Sequence, residues 1–182
     1  IPVVLCFNKK DIATSPEIAE LEAIYEKCGY PIVFTSALEQ ENIEEIRRLL
    51  LKKTTAIAGP SGVGKSSLIN LLQNQVQMET GTISRKIERG KHTTRHSELI
   101  AVDADSYIMD TPGFSSMFID CLEPGELKDY FPEFGPYEEE CKFLGCVHVG
   151  ERVCGVKEAL KRGELSRSRY DNYILMYEDL KN

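Results

Sequence analysis

The sequence predicts an α/β fold with a largely parallel sheet, followed by a smaller helical unit. Three observations carry this reading. Apolar, strand-like runs alternate with segments of helical apolar spacing from residue 2 to residue 109, the alternation of parallel strands with crossover helices. A glycine-rich stretch, Gly59 to Ser66, joins one such strand to one such helix. After about residue 115 the β pattern stops, and three cysteines and a histidine gather between Cys141 and Cys154. The composition suits a globular chain: of 182 residues 42% are hydrophobic and 28% charged, with net charge −7. That excludes a disordered tail, a coiled coil and a collagen-like chain. The apolar runs are too short to span a membrane. Residues 1–7 have no basic lead-in and no small-residue cleavage site, so they do not read as a signal peptide, and a cytoplasmic setting is expected.

Residues 2–7 read as a buried strand, and Asn8 to Asp11 as the turn that ends it. Residues 16–27 carry Ile18, Leu21, Ile24 and Tyr25 at helical spacing, with Ser15 as N-cap and Gly29 as the stop. Residues 31–34 form a second strand. Residues 41–51 form a helix with Ile43, Ile46, Leu49 and Leu50 on one face. A third strand follows at 54–58 and a helix at 65–73. Residues 99–102 and 107–109 pair around a turn at 103–106. Beyond them, 123–131 read as helical, 132–155 as a cysteine-rich loop, and 156–180 as helical with a break near Gly163.

Gly59-Pro60-Ser61-Gly62-Val63-Gly64-Lys65-Ser66 matches G-x-x-x-x-G-K-[ST] between a strand and a helix. Glycines let backbone N–H groups curl around phosphate oxygens without Cβ clashes. Lys65 would meet the β- and γ-phosphates, the Ser66 hydroxyl would ligate Mg²⁺, and Ser67 extends the candidate contact set. The helix N-terminus adds its dipole. Asp110-Thr111-Pro112-Gly113 follows an apolar strand. A carboxylate there can hold Mg²⁺, usually through water, and the Gly113 N–H could reach a γ-phosphate. Between the two motifs lies Gly90-Lys91-His92-Thr93-Thr94, where a threonine hydroxyl could complete the Mg²⁺ shell. Taken singly that segment also reads as an exposed polar loop.

Asn8-Lys9-Lys10-Asp11 reads N-K-x-D. A carboxylate accepts two hydrogen bonds from guanine N1–H and N2–H₂, a donor pair adenine lacks, so Asp11 would select guanine. Leaving that buried acceptor unpaired costs ~1–3 kcal/mol. The Lys9 stem can cover the base, Asn8 can tie the base loop to the phosphate loop, and Thr35-Ser36-Ala37 would offer the Ala37 N–H to guanine O6. An ATP-using P-loop enzyme is the weaker reading.

These motifs together resemble a GTPase signature set with the base-reading motifs ahead of the phosphate loop, a circular permutation (G4-G5-G1-G2-G3). In this the chain resembles the bacterial ribosome-small-subunit-dependent GTPase A family, also called YjeQ, over essentially its whole length. The resemblance implies a P-loop GTPase domain over residues 1–120 and a small α-helical zinc-binding domain over 121–182. It implies GTP and GDP as ligands, and the small ribosomal subunit with its rRNA as partner. No membrane is involved, and a monomer is expected. It also implies an N-terminal OB-fold, absent from these residues. The strand–helix unit expected before N-K-x-D is missing too, and its strand would sit between residues 2–7 and 54–58.

Cys141, Cys146, His148 and Cys154 read C-x4-C-x-H-x5-C, a set that suits closed tetrahedral Zn²⁺. A Cys141–Cys146 disulfide and buried free thiols are the alternatives, and the family resemblance adds weight to zinc. Residues 82–97 and 141–170 each carry net charge +4. They read either as solvated charge or as surfaces for a polyanion, and the resemblance gives them rRNA phosphate. Tyr170, Tyr173 and Tyr177 fall at the spacing of a helix core face. Many small GTPases place Gln after D-x-x-G to orient water; here the residue is Phe114, which predicts slow intrinsic hydrolysis. The resemblance places a switch loop at His92, which would either substitute for that Gln or only position the loop. The expected function is a GTPase in late small-subunit maturation, stimulated by the subunit. The alternative is a zinc-dependent RNA-binding assembly factor using guanine nucleotide as a conformational ligand.

Overall fold

The computed structural model describes residues 1–80, 98–110 and 122–181. Over these residues the chain forms two compact units. One takes in residues 4–14, 33–80 and 98–110; the other takes in 1–3, 15–32 and 122–181.

The first unit carries two sheets. Strand β1 (Leu5–Phe7) neighbours β2 (Ile32–Phe34), and β3 (Thr54–Ile57), β4 (Glu98–Asp103) and β5 (Ser106–Asp110) form a second sheet in the order β3-β5-β4. β3 runs parallel to β5, while β4 is antiparallel to it. The sheet is therefore less parallel than the strand–helix alternation predicts, because the hairpin turn at Ala104–Asp105 returns the chain directly. Among the described residues β1 and β3 are not paired. The first strand is also shorter than residues 2–7. Val3 and Val4 are exposed, so their apolar character does not reflect burial here.

Helix α2 (Ile43–Leu50) turns Ile43, Ile46 and Leu50 inward at helical spacing and leaves Glu44, Glu45 and Arg48 outside. Helix α3 (Lys65–Thr80) buries Leu68, Ile69 and Leu72. These meet Val33 of β2, Ile100 and Val102 of β4 and Ile108 of β5 in one aliphatic core. Each such side chain contributes roughly 1.5–3 kcal/mol on full burial. Arg47 Nη2 donates to Leu72 O at 3.1 Å, fastening α2 to α3. α3 runs past residue 73, where the sequence pattern loses its apolar spacing.

The second unit is held by aromatic rings. Residues Pro124–Tyr130 form a helix where 123–131 read as helical, and its winding is 3-10. Residues 132–155 are not all loop: a 3-10 turn (Pro132–Phe134) leads into the short α4 (Gly135–Glu138). Helices α5 (Gly155–Lys161) and α6 (Arg167–Lys181) follow. Phe131 and Phe134 stack on each other at 5.3 Å and each meets Tyr173 edge to face, with centroids 5.0 Å apart for Phe131–Tyr173 and 5.1 Å for Phe134–Tyr173. Such pairs add ~0.5–1.5 kcal/mol beyond area burial. Tyr170 and Tyr173 are buried, as the core-face reading of their spacing requires.

Helix α1 (Ser15–Glu26) belongs to this second unit although it follows β1 in sequence. Arg169 of α6 lies 4.6 Å over Phe131 and 5.6 Å over Tyr25 of α1, and its Nε donates to the buried Glu133 at 2.7 Å. Lys27 Nζ donates to Glu164 O at 2.5 Å. Ser15 is the first helical residue, one position inside the predicted cap. Among the described residues no helix is long and apolar enough to cross a membrane.

Candidate functional site

The phosphate loop leaves β3 at Ile57 and opens α3 at Lys65. Gly62 and Gly64 have φ of +83° and +96°, a region where a Cβ is strained. At Gly64 a Cβ would also run into the Asn8 side-chain amide. Lys65 Nζ donates to Gly59 O at 2.6 Å and to Pro60 O at 2.9 Å, engaging two of the three donors of an ammonium. Ser61 and Gly62 are exposed at the rim, and Ser66 and Ser67 are exposed in the first turn of α3, where orphan N–H groups and the dipole favour an anion.

Asn8 braces three motifs at once. Its Nδ2 donates to Val63 O in the phosphate loop at 2.9 Å. Its Oδ1 accepts from Ala37 N at 3.0 Å and from Thr35 Oγ at 3.3 Å. The tie between base loop and phosphate loop is thus the one its position in N-K-x-D suggests. The Ala37 N–H, in contrast, points to Asn8 and not outward to a base edge. Asp11 Oδ1 accepts from Ser36 Oγ at 2.5 Å, which fixes the carboxylate. Lys9 is exposed and sits at φ +68° before a 3-10 turn, Lys10–Ile12. Lys10 Nζ is ion-paired with Glu41, and Glu41 closes the 36–41 loop by exchanging backbone bonds with Ser36 (2.9 and 3.2 Å). Glu41 is a part of the site that no motif includes, and Thr35, the first residue of T-S-A, is fully buried. Nothing local marks Glu41, since its partner is thirty-one residues upstream.

Asp110 enters through register: it stands opposite Ile57, two residues before Gly59. That puts the start of Asp-Thr-Pro-Gly beside the phosphate loop. His92, Thr93, Thr94 and Gly113 lie outside the described residues.

In the second unit Cys141, Cys146, His148 and Cys154 present ligand atoms that all lie within 4.8 Å of one another. His148 Nδ1 is 3.4 Å from Cys154 Sγ and 3.7 Å from Cys141 Sγ, and those two sulfurs are 4.0 Å apart. Thiolates about 2.3 Å from a tetrahedral centre stand ~3.8 Å apart, so the spacing fits zinc. The three cysteines are unbridged by disulfides. Burial pushes Cys146 up to about 12 and raises Cys154, and burial lowers His148. At Cys146, Cys154 and His148 burial thus favours the neutral form, and a divalent ion reverses that balance at sulfur. His148 is fully buried at φ +60°. Its carbonyl accepts from Tyr170 OH at 2.7 Å, and Val147 O accepts from Tyr173 OH at 2.6 Å. Val147 N donates to Glu151 at 2.8 Å. Gly155 N donates to Cys141 Sγ at 3.3 Å, and a Cβ at Gly155 would collide with Tyr137 O. These α6 hydroxyls and Gly155 carry no motif signal; only the fold brings them to the cluster.

A strand, a glycine loop and a helix, braced by an N-K-x-D asparagine that comes earlier in the chain, define a P-loop GTPase fold in circularly permuted order. The RsgA GTPase family model matches residues 1–120, and the chain belongs to that family. It is 58% identical over 182 residues to the small ribosomal subunit biogenesis GTPase RsgA of Agathobacter rectalis, covering all of this chain and 60% of that protein. YjeQ from Thermotoga maritima, a solved structure, is 40% identical with TM-score 0.78, over 100% of this chain and 60% of that one. YloQ, described as a circularly permuted GTPase, is 34% identical with TM-score 0.72, over 98% and 56%. The chain spans about 60% of the length of the curated relatives it matches.

Proposed function

We propose that this chain binds GTP and hydrolyses it to GDP and phosphate in the late maturation of the small ribosomal subunit, with the subunit stimulating hydrolysis. The observation that carries the proposal is the Asn8 brace, which brings the guanine-reading motif onto the phosphate loop. A P-loop enzyme without guanine selection has no need of that contact. The relatives' name, small ribosomal subunit biogenesis GTPase, supplies the partner. Residues 1–120 would be the GTPase domain and 121–182 a zinc-binding domain. A monomer working in the cytoplasm on rRNA completes the reading.

In this reading Asp11 accepts from guanine, with Ser36 holding its carboxylate and the Lys9 stem over the base. Lys65 and the loop N–H groups of Gly59 to Ser67 bind the phosphates. Ser66 and Asp110, with Thr93 or Thr94, would hold Mg²⁺, which when bound neutralises charge on the transferring phosphoryl group. The Gly113 N–H orients the γ-phosphate and His92 the attacking water. Cys141, Cys146, His148 and Cys154 would hold Zn²⁺, which cross-links the loop that carries them.

The decisive measurement is GTP turnover against added small subunit. Turnover that is slow alone and rises with subunit is expected; a rate indifferent to the subunit would leave the nucleotide as a conformational ligand only. Asp11→Asn should weaken GTP binding and favour xanthosine nucleotides.

A further inference from the structure

Behind the metal centre stands a carboxylate that the motif does not include. Glu138, the last residue of α4, places Oε1 3.2 Å from His148 Nε2. The other ring nitrogen, Nδ1, faces the sulfurs of Cys154 and Cys141. A neutral imidazole has one N–H and one lone pair. With the proton on Nε2 donated to a carboxylate, the Nδ1 lone pair is the one offered to a metal. We propose that Glu138 is a positioning residue of this centre: it fixes the ring and the protonation pattern of His148 so that Nδ1 is the zinc ligand. The inference rests on the zinc reading above.

Two features make Glu138 more than a neighbour. Its carboxylate is itself anchored, because Lys128 Nζ from the 3-10 helix Pro124–Tyr130 lies 3.1 Å from the same Oε1. The ring cannot easily turn to another partner, since Phe134 meets it edge-on at 5.8 Å and Tyr170 ties its backbone carbonyl. A carboxylate that accepts the N–H of a ligating histidine raises the basicity of that ligand, and losing one costs ten- to a hundredfold in metal affinity in comparable sites.

The test is zinc affinity of the full chain by competition with a chromogenic chelator, for wild type, Glu138→Ala, Glu138→Gln, Lys128→Met and Cys146→Ser. Glu138→Ala should lose about ten- to a hundredfold. Glu138→Gln keeps an acceptor oxygen of the same shape and should lose less than about tenfold, and Lys128→Met less than about threefold. Long-range proton–nitrogen spectra of the zinc-loaded wild type should show His148 protonated at Nε2 and metal-bound at Nδ1. Glu138→Ala binding within twofold of wild type, a metal on Nε2, or Lys128→Met falling as far as Glu138→Ala would each overturn the proposal. Wild type without stoichiometric zinc would instead overturn the metal reading on which it stands. Cys146→Ser losing zinc while Glu138→Ala keeps it would overturn the positioning role alone.

Discussion

In the sheet-bearing unit the residues that would handle nucleotide lie outside the core. Lys9, Asp11, Ser66 and Ser67 are exposed, and the interior is aliphatic, from Val33 to Ile108. In the other unit the chemistry is the core. Cys146, Cys154 and His148 are buried, and the two cysteines share one packed cluster with Phe131, Phe134 and Tyr173. Loops on a framework can be altered without unfolding what carries them. A ligand set that forms part of the interior cannot, because the same atoms answer for packing and for chemistry.

The largest effect should come from removing the zinc proposed for Cys141, Cys146, His148 and Cys154. Structural zinc in small domains supplies ~10–16 kcal/mol of apparent binding free energy that is also folding free energy. Chelation, or Cys146→Ser, should therefore melt the aromatic cluster, read as loss of near-ultraviolet tyrosine dichroism. Guanine nucleotide affinity should fall far less, and a parallel fall would break the contrast. Next, Phe134→Ala should cost about 3–5 kcal/mol in denaturant unfolding, since the ring packs against Phe131, Tyr173 and His148. Asn8→Ala should leave unfolding within about 1 kcal/mol but weaken GTP by roughly tenfold, because it strands the partners on Val63 and Ala37. If Asn8→Ala instead destabilises the fold as much as a core truncation does, the separation of loop from framework is wrong. Smallest is Lys10→Met, whose ion pair with Glu41 is half-exposed. It should change stability by under about 1 kcal/mol and diminish with salt.

Much of the candidate nucleotide site is legible in the sequence because its chemistry is local. A phosphate loop needs glycine, lysine and serine at fixed spacing, and N-K-x-D and T-S-A each fit in a single turn. The candidate ligand set Cys141, Cys146, His148 and Cys154 is legible for the same reason. What reaches across the chain is not. Glu138 is an ordinary acidic residue among Glu138-Glu139-Glu140, and only the packing of α4 selects it. The apolar face of α1 reads the same whichever unit it joins, so the contact of its Tyr25 with Arg169 has no local mark. The 3-10 winding of Pro124–Tyr130 escapes a pattern analysis because its apolar and polar residues suit either helix. The polar C-terminal half of α3 shows that a helix can continue without an apolar stripe to announce it.

Gly64 answers to two unrelated demands, its backbone angle and the amide of Asn8 pressed against it. For genetics this means that a Gly64→Ala lesion has no one-step suppressor at position 8. Trimming Asn8 clears the space but leaves the angle strained and removes the brace in the same stroke. A selection for revertants should return glycine itself, or changes that reshape the loop as a whole.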